Sequence, residues 1–392
     1  MGDEIRQQVQ ALQEEMVRLR RDFHRHPELG FEEHRTASVI AEYLTALGFQ
    51  VRTGVAETGV VAVWPGKNTD GKTIAFRADI DALKLTEENQ HDFRSETPGK
   101  MHGCGHDGHM AILLGLAKWI AESGRDFPGN IKLIFQPAEE GGGGAKVMVE
   151  QNALEQPRVD RVVGLHLWLP LKIGQASVVE GAILGSVDGF TITVKGKGGH
   201  SAMPHTAVDS LVVAAHIVIA LQTIVSRNVD PLQSAVITVG EIRDESAVNV
   251  ISEKAVLRGM ARTSEPELRK LVEKRIRECA QGVAAGLGAQ ADVEWSPLYP
   301  ATISDPAVVT DVRNSVRAVL GADCFVEERT MASEDFSFFL EQRPGCYFFL
   351  GASNVEKGIT EPHHSPRFDF DETALGYGLE IFIRVLLDFF GA

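Results

Sequence analysis

Ile5, Val9, Leu12, Met16 and Leu19 recur at helical spacing near the start of the chain, with charged and polar residues between them. One apolar stripe on a 3.6-residue period predicts an amphipathic helix over 4–25. His26-Pro27-Glu28-Leu29-Gly30 stops it, since proline cannot continue a helix. A second helical pattern over 33–47 closes at Gly48. The pattern then shortens to apolar runs that predict strands at 49–51, 60–64 and 73–78, the last running into Asp79-Ile80-Asp81. A strongly apolar helix over 107–123, a strand over 130–135, a glycine run, a helix through Met148 and a strand over 161–169 follow. Strand and helix alternate, which predicts an α/β domain with a mostly parallel sheet and helices on both faces. In such sheets functional groups gather beyond the C-terminal strand ends, and Glu139-Glu140 falls just past one of them.

Near Ser186 the texture changes. An alternating strand at 190–194, a glycine-rich stretch at 196–199, a helix over 207–226 that is apolar nearly all round, strands at 235–242 and 254–261 and a helix over 265–287 make a two-helix, four-strand pattern. This predicts an inserted α+β domain at 186–293, two helices on a four-stranded sheet. The first domain is then discontinuous, built from 1–185 and 294–392, and Pro297–Pro300 leads the chain back into it.

The chain has 392 residues, 44% hydrophobic and 24% charged, ordinary values for a globular enzyme of two or three domains. A net charge of −15 argues against nucleic acid or an anionic membrane as partner. No apolar run is expected to span a bilayer, and the charged N-terminus shows no signal-peptide core. Arg6 stands where a myristoylation motif needs Ser or Thr. Cys104, Cys279, Cys324 and Cys346 lack framework spacing, as expected in a reducing, cytoplasmic compartment.

Candidate chemistry concentrates in Met101–Met110, which places Cys104, His102, His106, His109 and Asp107 among glycines. Thiolate and imidazole suit borderline ions such as zinc. Cys104 and His106 do not share a helix face, so they converge only from a loop, which Gly103 and Gly105 permit. Glu139-Glu140, His166 and His364 are further donors. One glutamate of the pair would ligate and the other serve as general base, the division that metal-assisted hydrolysis needs. Singly, the pair also fits a solvated turn and His166 a core histidine; their joint presence favours a metal site. The chain has no His-Glu-x-x-His and no Gly-x-Ser-x-Gly, and Gly141–Lys146 lacks the phosphate-loop pattern. His102, His109 and His205 are expected to be supporting or structural, His216 to be core, and Cys279, Cys324 and Cys346 to be buried thiols.

The stretches Met-His-Gly-Cys-Gly-His-Asp-Gly-His, Gln-Pro-Ala-Glu-Glu-Gly, Gly-Leu-His, Gly-Gly-His-Ser-Ala-Met-Pro-His and His-His-Ser-Pro resemble the di-metal amidohydrolases. That family groups hippurate, N-acyl-amino-acid and auxin-conjugate hydrolases within the aminoacylase/carboxypeptidase superfamily. The resemblance runs from His26 to the C-terminus. It implies hydrolysis of the amide of N-acyl amino acids and two divalent ions, with zinc, manganese, cobalt and nickel as candidates. Cys104 matches the bridging ligand, where relatives outside this branch use Asp. His106, Glu140, His166 and His364 match ligands, Glu139 the general base, and Asp79 the acid that orients the site. His200, Asn249 and Arg262 match substrate-contacting positions, with His200 facing the reacting carbonyl. The resemblance also implies that the inserted domain is a lid that pairs subunits into a homodimer or a dimer of dimers, with His200 reaching the partner's site. Lys84 departs from the usual proline after Asp-Ala-Leu, and His364 is preferred over His363 for its place before Ser365-Pro366. Two competing readings are a carboxypeptidase or dipeptidase of the same superfamily, and a non-catalytic binding protein. The latter would be expected to lack the base or a ligand.

Overall fold

The computed structural model describes residues 2–391, which divide into two compact units. One comprises the chain up to Ile183, Ile303–Glu328 and the chain from Asp335 on; the other comprises Leu184–Thr302 and Arg329–Glu334.

The first unit begins with α1 (Gly2–Arg25), α2 (His34–Ala46), β1 (Gln50–Val55), β2 (Gly59–Trp64), β3 (Thr73–Asp79), α3 (His106–Glu122), β4 (Asn130–Gln136), α4 (Gly144–Glu150) and β5 (Arg161–Lys172). The short strands β6 (Ala176–Ser177) and β7 (Gly181–Leu184) precede the crossing into the second unit. That unit carries β8 (Val187–Lys195), β9 (Gly199–His200), α5 (Ser210–Asn228), β10 (Ala235–Arg243), β11 (Val250–Ile251), β12 (Lys254–Thr263), α6 (Pro266–Gly286) and β13 (Gln290–Tyr299). The chain returns through β14 (Thr302–Ser304) to α7 (Pro306–Leu320), α8 (Ser337–Gln342), β15 (Gly345–Ser353) and α9 (Thr373–Phe390).

In the first unit a seven-stranded sheet has the order β1-β2-β4-β3-β5-β15-β6. Strands β4, β3, β5 and β15 run parallel, and the strands at both edges are antiparallel. Alternation along β4 shows two buried faces. Ile131, Leu133 and Phe135 join the core that α1, α3 and α9 share, whereas Lys132 and Gln136 point to the other side. There Lys132 Nζ donates to the carbonyls of Ala153, Glu155 and Pro157 at 3.0, 2.7 and 2.8 Å, so a buried ammonium ties β4 to the segment after α4. The parallel strands carry their C-terminal ends to one edge, and every candidate ligand lies at or just beyond that edge.

The second unit is a four-stranded antiparallel sheet, β10-β12-β8-β13, on which α5 and α6 pack around a core of its own. Sequence patterning places this insertion at 186–293; in the structure β13 continues through Pro297 to Tyr299 and pairs with β8, so the unit runs on to Thr302. Helix α5 begins at Ser210, not at 207, because Asp209 caps it by accepting from Leu211 N and Val212 N.

Two expectations change at α5. By length and composition it could cross a bilayer, contrary to the expectation that no run would; yet Val213, Ala214, Ile217, Leu221 and Ile224 form one buried stripe on the sheet. His216 is exposed on the outer face, its Nδ1 donating to the Val212 carbonyl, and not part of the core. Cys279 is only half-buried, whereas Cys324 and Cys346 are buried.

Candidate metal centre

Three chain segments meet at the strand ends. The first is β3 and its continuation, which supply Asp79 and Asp81. The second is the loop into α3, where Gly105 adopts φ 90° and lets Cys104 and His106 turn toward one another. The third is the turn after β4. There Ala138 holds φ 52°, and its N–H donates to Glu33 Oε1 at 2.9 Å. The glycine run that follows is required by space, since a Cβ on Gly144 would sit 1.8 Å from the Pro137 carbonyl oxygen.

Hydrogen bonds at the back of each imidazole decide which nitrogen faces the cluster. His106 Nδ1 donates to the Asp81 carbonyl at 2.9 Å, which turns Nε2 the other way, 3.7 Å from Asp79 Oδ2. His166 Nδ1 donates to the Leu167 carbonyl at 2.7 Å, and its Nε2 lies 3.5 Å from Cys104 Sγ. His109 is used on both sides: Nδ1 donates to Asp79 Oδ1 at 2.7 Å and Nε2 accepts from Leu167 N at 2.9 Å. It therefore braces Asp79 and offers no lone pair to an ion. His363 Nε2 accepts from Leu169 N at 3.2 Å, while His364 Nε2 stands 3.1 Å from Glu140 Oε1. Of the adjacent pair, His364 is the one brought to the cluster, on a backbone with φ 64°.

Donor atoms of Cys104, His106 and His166, of Cys104, Glu140 and His364, and of His106, Glu139 and Glu140 form three overlapping groups, each within 4.8 Å. The donor set fits a pair of divalent ions. Glu140 Oε1 is buried and, among the described residues, accepts no hydrogen bond that meets the usual geometry, although His364 Nε2 stands 3.1 Å away. Asp81 Oδ1 is likewise buried and unmatched. Burial pushes the Cys104 thiol well above its ordinary pKa, and Glu140, Glu139 and Asp79 push the same way. Burial would lower His106, but Asp79, Asp81 and Glu140 outweigh it and raise the imidazole to about 10. Each of these groups is one that a cation would satisfy.

Several supporting residues carry no metal-ligand signature in the sequence. Asp81 accepts from His106 Nδ1 with its carbonyl and from Glu140 N with Oδ2 at 2.9 Å, so one residue positions two candidate ligands. Arg77 donates to Asp79 Oδ2 at 2.7 Å, to Gln136 Oε1 at 2.7 Å and to Asp335 Oδ1 at 3.1 Å. Burial would raise the Asp79 carboxyl, but His106, Arg77 and His109 hold it well below the usual range. The signal available for these residues was charge inside an apolar strand, since β3 is buried throughout and still carries Arg77 and Asp79.

His200, Asn249 and Arg262 lie in the second unit. His200 on β9 pairs with Val250 on β11, and Ser201 N donates to the Asn249 carbonyl at 3.2 Å, so His200 and Asn249 are neighbours. His200 Nδ1 accepts from Ala202 N at 3.1 Å, which leaves Nε2–H pointing outward as a donor. Arg262 sits on β12, its guanidinium donating to the Met331 carbonyl at 2.8 Å.

Residues 75–388 match the peptidase family M20/M25/M40. The chain is 38% identical to the N-acetyl-L-cysteine deacetylase of Bacillus subtilis over 94% of its own length and 86% of that protein's. It is 36% identical to thermostable carboxypeptidase 2 of Saccharolobus solfataricus, over 96% and 95% of the two lengths. The crystal structure of YXEP from Bacillus subtilis, a dinuclear metal-binding peptidase of the M20 family, superimposes with a TM-score of 0.86 at 32% identity, covering 97% of this chain and 99% of that one.

Proposed function

The chain belongs to the peptidase family M20/M25/M40, and from that membership we propose that it hydrolyses the amide bond of N-acyl amino acids, releasing a carboxylate and a free amino acid. Hippurate-like compounds are the substrate type this reading favours. The observation that carries it is the convergence of Cys104, His106, Glu140, His166 and His364 around a buried Glu140 oxygen that accepts no hydrogen bond among the described residues, with Glu139 beside them. Those five residues would hold two divalent ions.

When bound, such ions acidify water and polarise a carbonyl. The chain's own residues do the rest. Glu139, 7% exposed at the strand-end turn, would take the proton of the attacking water and return it to the leaving amine nitrogen. Asp79, braced by His109 and Arg77, and Asp81 keep His106 and Glu140 in place. His200 Nε2–H would donate to the developing oxyanion, and Asn249 and Arg262 would receive the substrate's carboxylate.

Similarity to a deacetylase and to a carboxypeptidase supports two readings within one chemistry. A panel of N-acyl amino acids and of peptides, each assayed with zinc, manganese, cobalt and nickel, separates them. Release of free amino acid from N-acetyl or N-benzoyl amino acids well above C-terminal release from peptides is the expected result; the reverse order favours the carboxypeptidase.

A further inference from the structure

A second set of donors lies where the last turn of α1 meets the segment 87–95. His24 Nε2 and His91 Nε2 each lie 3.2 Å from Glu87 Oε1, and one donor atom from each of the three residues falls within 4.8 Å of the others. None of these residues belongs to the centre described above. We propose that His24, Glu87 and His91 form a further binding site for a borderline divalent cation such as zinc, with two imidazoles and one carboxylate as ligands.

The spacing fits. Two nitrogen or oxygen ligands about 2.0–2.1 Å from a tetrahedral ion stand about 3.3 Å apart. Alignment points the same way. Neither ring nitrogen of His91 makes a hydrogen bond among the described residues, although Nε2 is 3.2 Å from a carboxylate oxygen. Close approach without alignment is expected of two ligands aimed at a shared third point, and Glu140 with His364 shows the same geometry.

The supporting shell is in place. His24 Nδ1 donates to Asp107 Oδ2 at 2.8 Å, which turns Nε2 toward Glu87 Oε1, where an ion would replace the Nε2 proton, and Arg20 Nε holds the same Asp107 oxygen at 2.9 Å. Glu87 Oε2 accepts from Ser95 N at 2.6 Å and Oε1 from Asn89 Nδ2 at 3.1 Å, which together fix the carboxylate with Oε1 turned toward both imidazoles. The charge count also leaves room for one. Glu87, Asp107, Asp369 and Glu372 are four carboxylates joined through Arg20, Arg21 and His24; with His24 neutral, as a ligand must be, the two guanidiniums leave an excess of two negative charges, which one divalent ion cancels. The His91 side chain is 18% exposed, which gives an ion a way in. The rival arrangement is metal-free, with protonated His24 bridging Asp107 and Glu87.

The test counts ions, so it does not depend on the substrate assigned above. Zinc-loaded wild type and His91→Leu are freed of loose metal and analysed by native mass spectrometry. We expect the variant to hold one zinc fewer per chain and to retain its amide hydrolysis. The site is then isolated in Cys104→Ala/His364→Ala, titrated with cobalt(II). One cobalt should bind with ligand-field bands and no thiolate charge-transfer band, and adding His91→Leu should abolish it. Equal zinc content in wild type and His91→Leu overturns the proposal in favour of the protonated bridge. If His91→Leu does not fold, a wild-type chain that never holds more than two zinc ions overturns it as well.

Discussion

Glu139 and Glu140 are neighbours in sequence whose surroundings divide their roles. Glu140 is tied through its N–H to Asp81 and approaches His364, whereas Glu139 is assigned the proton. Glu139→Gln keeps the shape and cannot accept a proton, so turnover should fall by at least about 10²–10⁴-fold while metal content, measured by atomic emission, stays at the wild-type level. Glu140 tests the electrostatics. Ions that bind only the folded chain stabilise it, so chelation should lower the melting temperature. Glu140→Gln should bind fewer ions and, because Glu140 holds up the His106 and His364 imidazoles, its metal-free form should melt no higher than metal-free wild type; calorimetry of both chelated proteins reads it. The sequence made the candidate donors legible at this scale because thiol, imidazole and paired carboxylates are rare in so short a span. It set His109 aside as supporting and preferred His364 to His363, but it did not show what occupies those rings, since the use of a ring nitrogen is set by a distant partner: Leu167 N for one, Leu169 N for the other.

The periodic elements of the first unit were legible because burial is one-sided in α1 and two-sided in β3 and β4, and each leaves its own pattern. The turns that aim the site were less so, because they depend on contacts across the fold. Glu33, just before α2, accepts from Ala138 N and, at 2.5 Å, from Thr58 Oγ1, joining α2, the approach to β2 and the turn that presents Glu139. Burial raises its carboxyl to about 7 from an ordinary 4.5, with Asp81 adding to the rise against the opposing Thr58 bond. Between those two values the folded protein holds a proton that the unfolded chain has released. Folding stability should therefore fall as pH rises from about 4.5 through about 7, by at most about 3 kcal/mol. Glu33→Gln should flatten that slope, which urea titrations across the range would read. In Gly144→Ala the new methyl cannot fit against the Pro137 carbonyl oxygen. The turn must shift, and activity should be lost with stability lowered by a few kcal/mol, measured by turnover and denaturant midpoint.

At the scale of the whole molecule, the second unit keeps apolar surface in water. Leu211, Val212 and Ile219 on α5 and Val236 and Ile242 on β10 are exposed, and β10 is an edge strand of its sheet. This face explains why α5 looked apolar nearly all round: its core-facing stripe is only half of its hydrophobic surface. An exposed apolar helix beside an open strand edge suits a second copy of the same chain, in keeping with the expected homodimer. A second copy would give His200 a role. His200 is exposed, with Nε2–H outward, in a unit that holds none of the candidate ligands. If each subunit lends its His200 to the other's centre, two inactive variants should complement. Glu139→Ala and His200→Ala, mixed in equal amounts and allowed to exchange, give about half mixed dimers. Each mixed dimer then contains one site with both groups intact and one with neither, so about a quarter of wild-type activity should return. If His200 serves its own chain, every site lacks one group and nothing returns. Exchange is followed independently by mass-tagged subunits, so full exchange with no recovered activity would assign His200 to its own subunit.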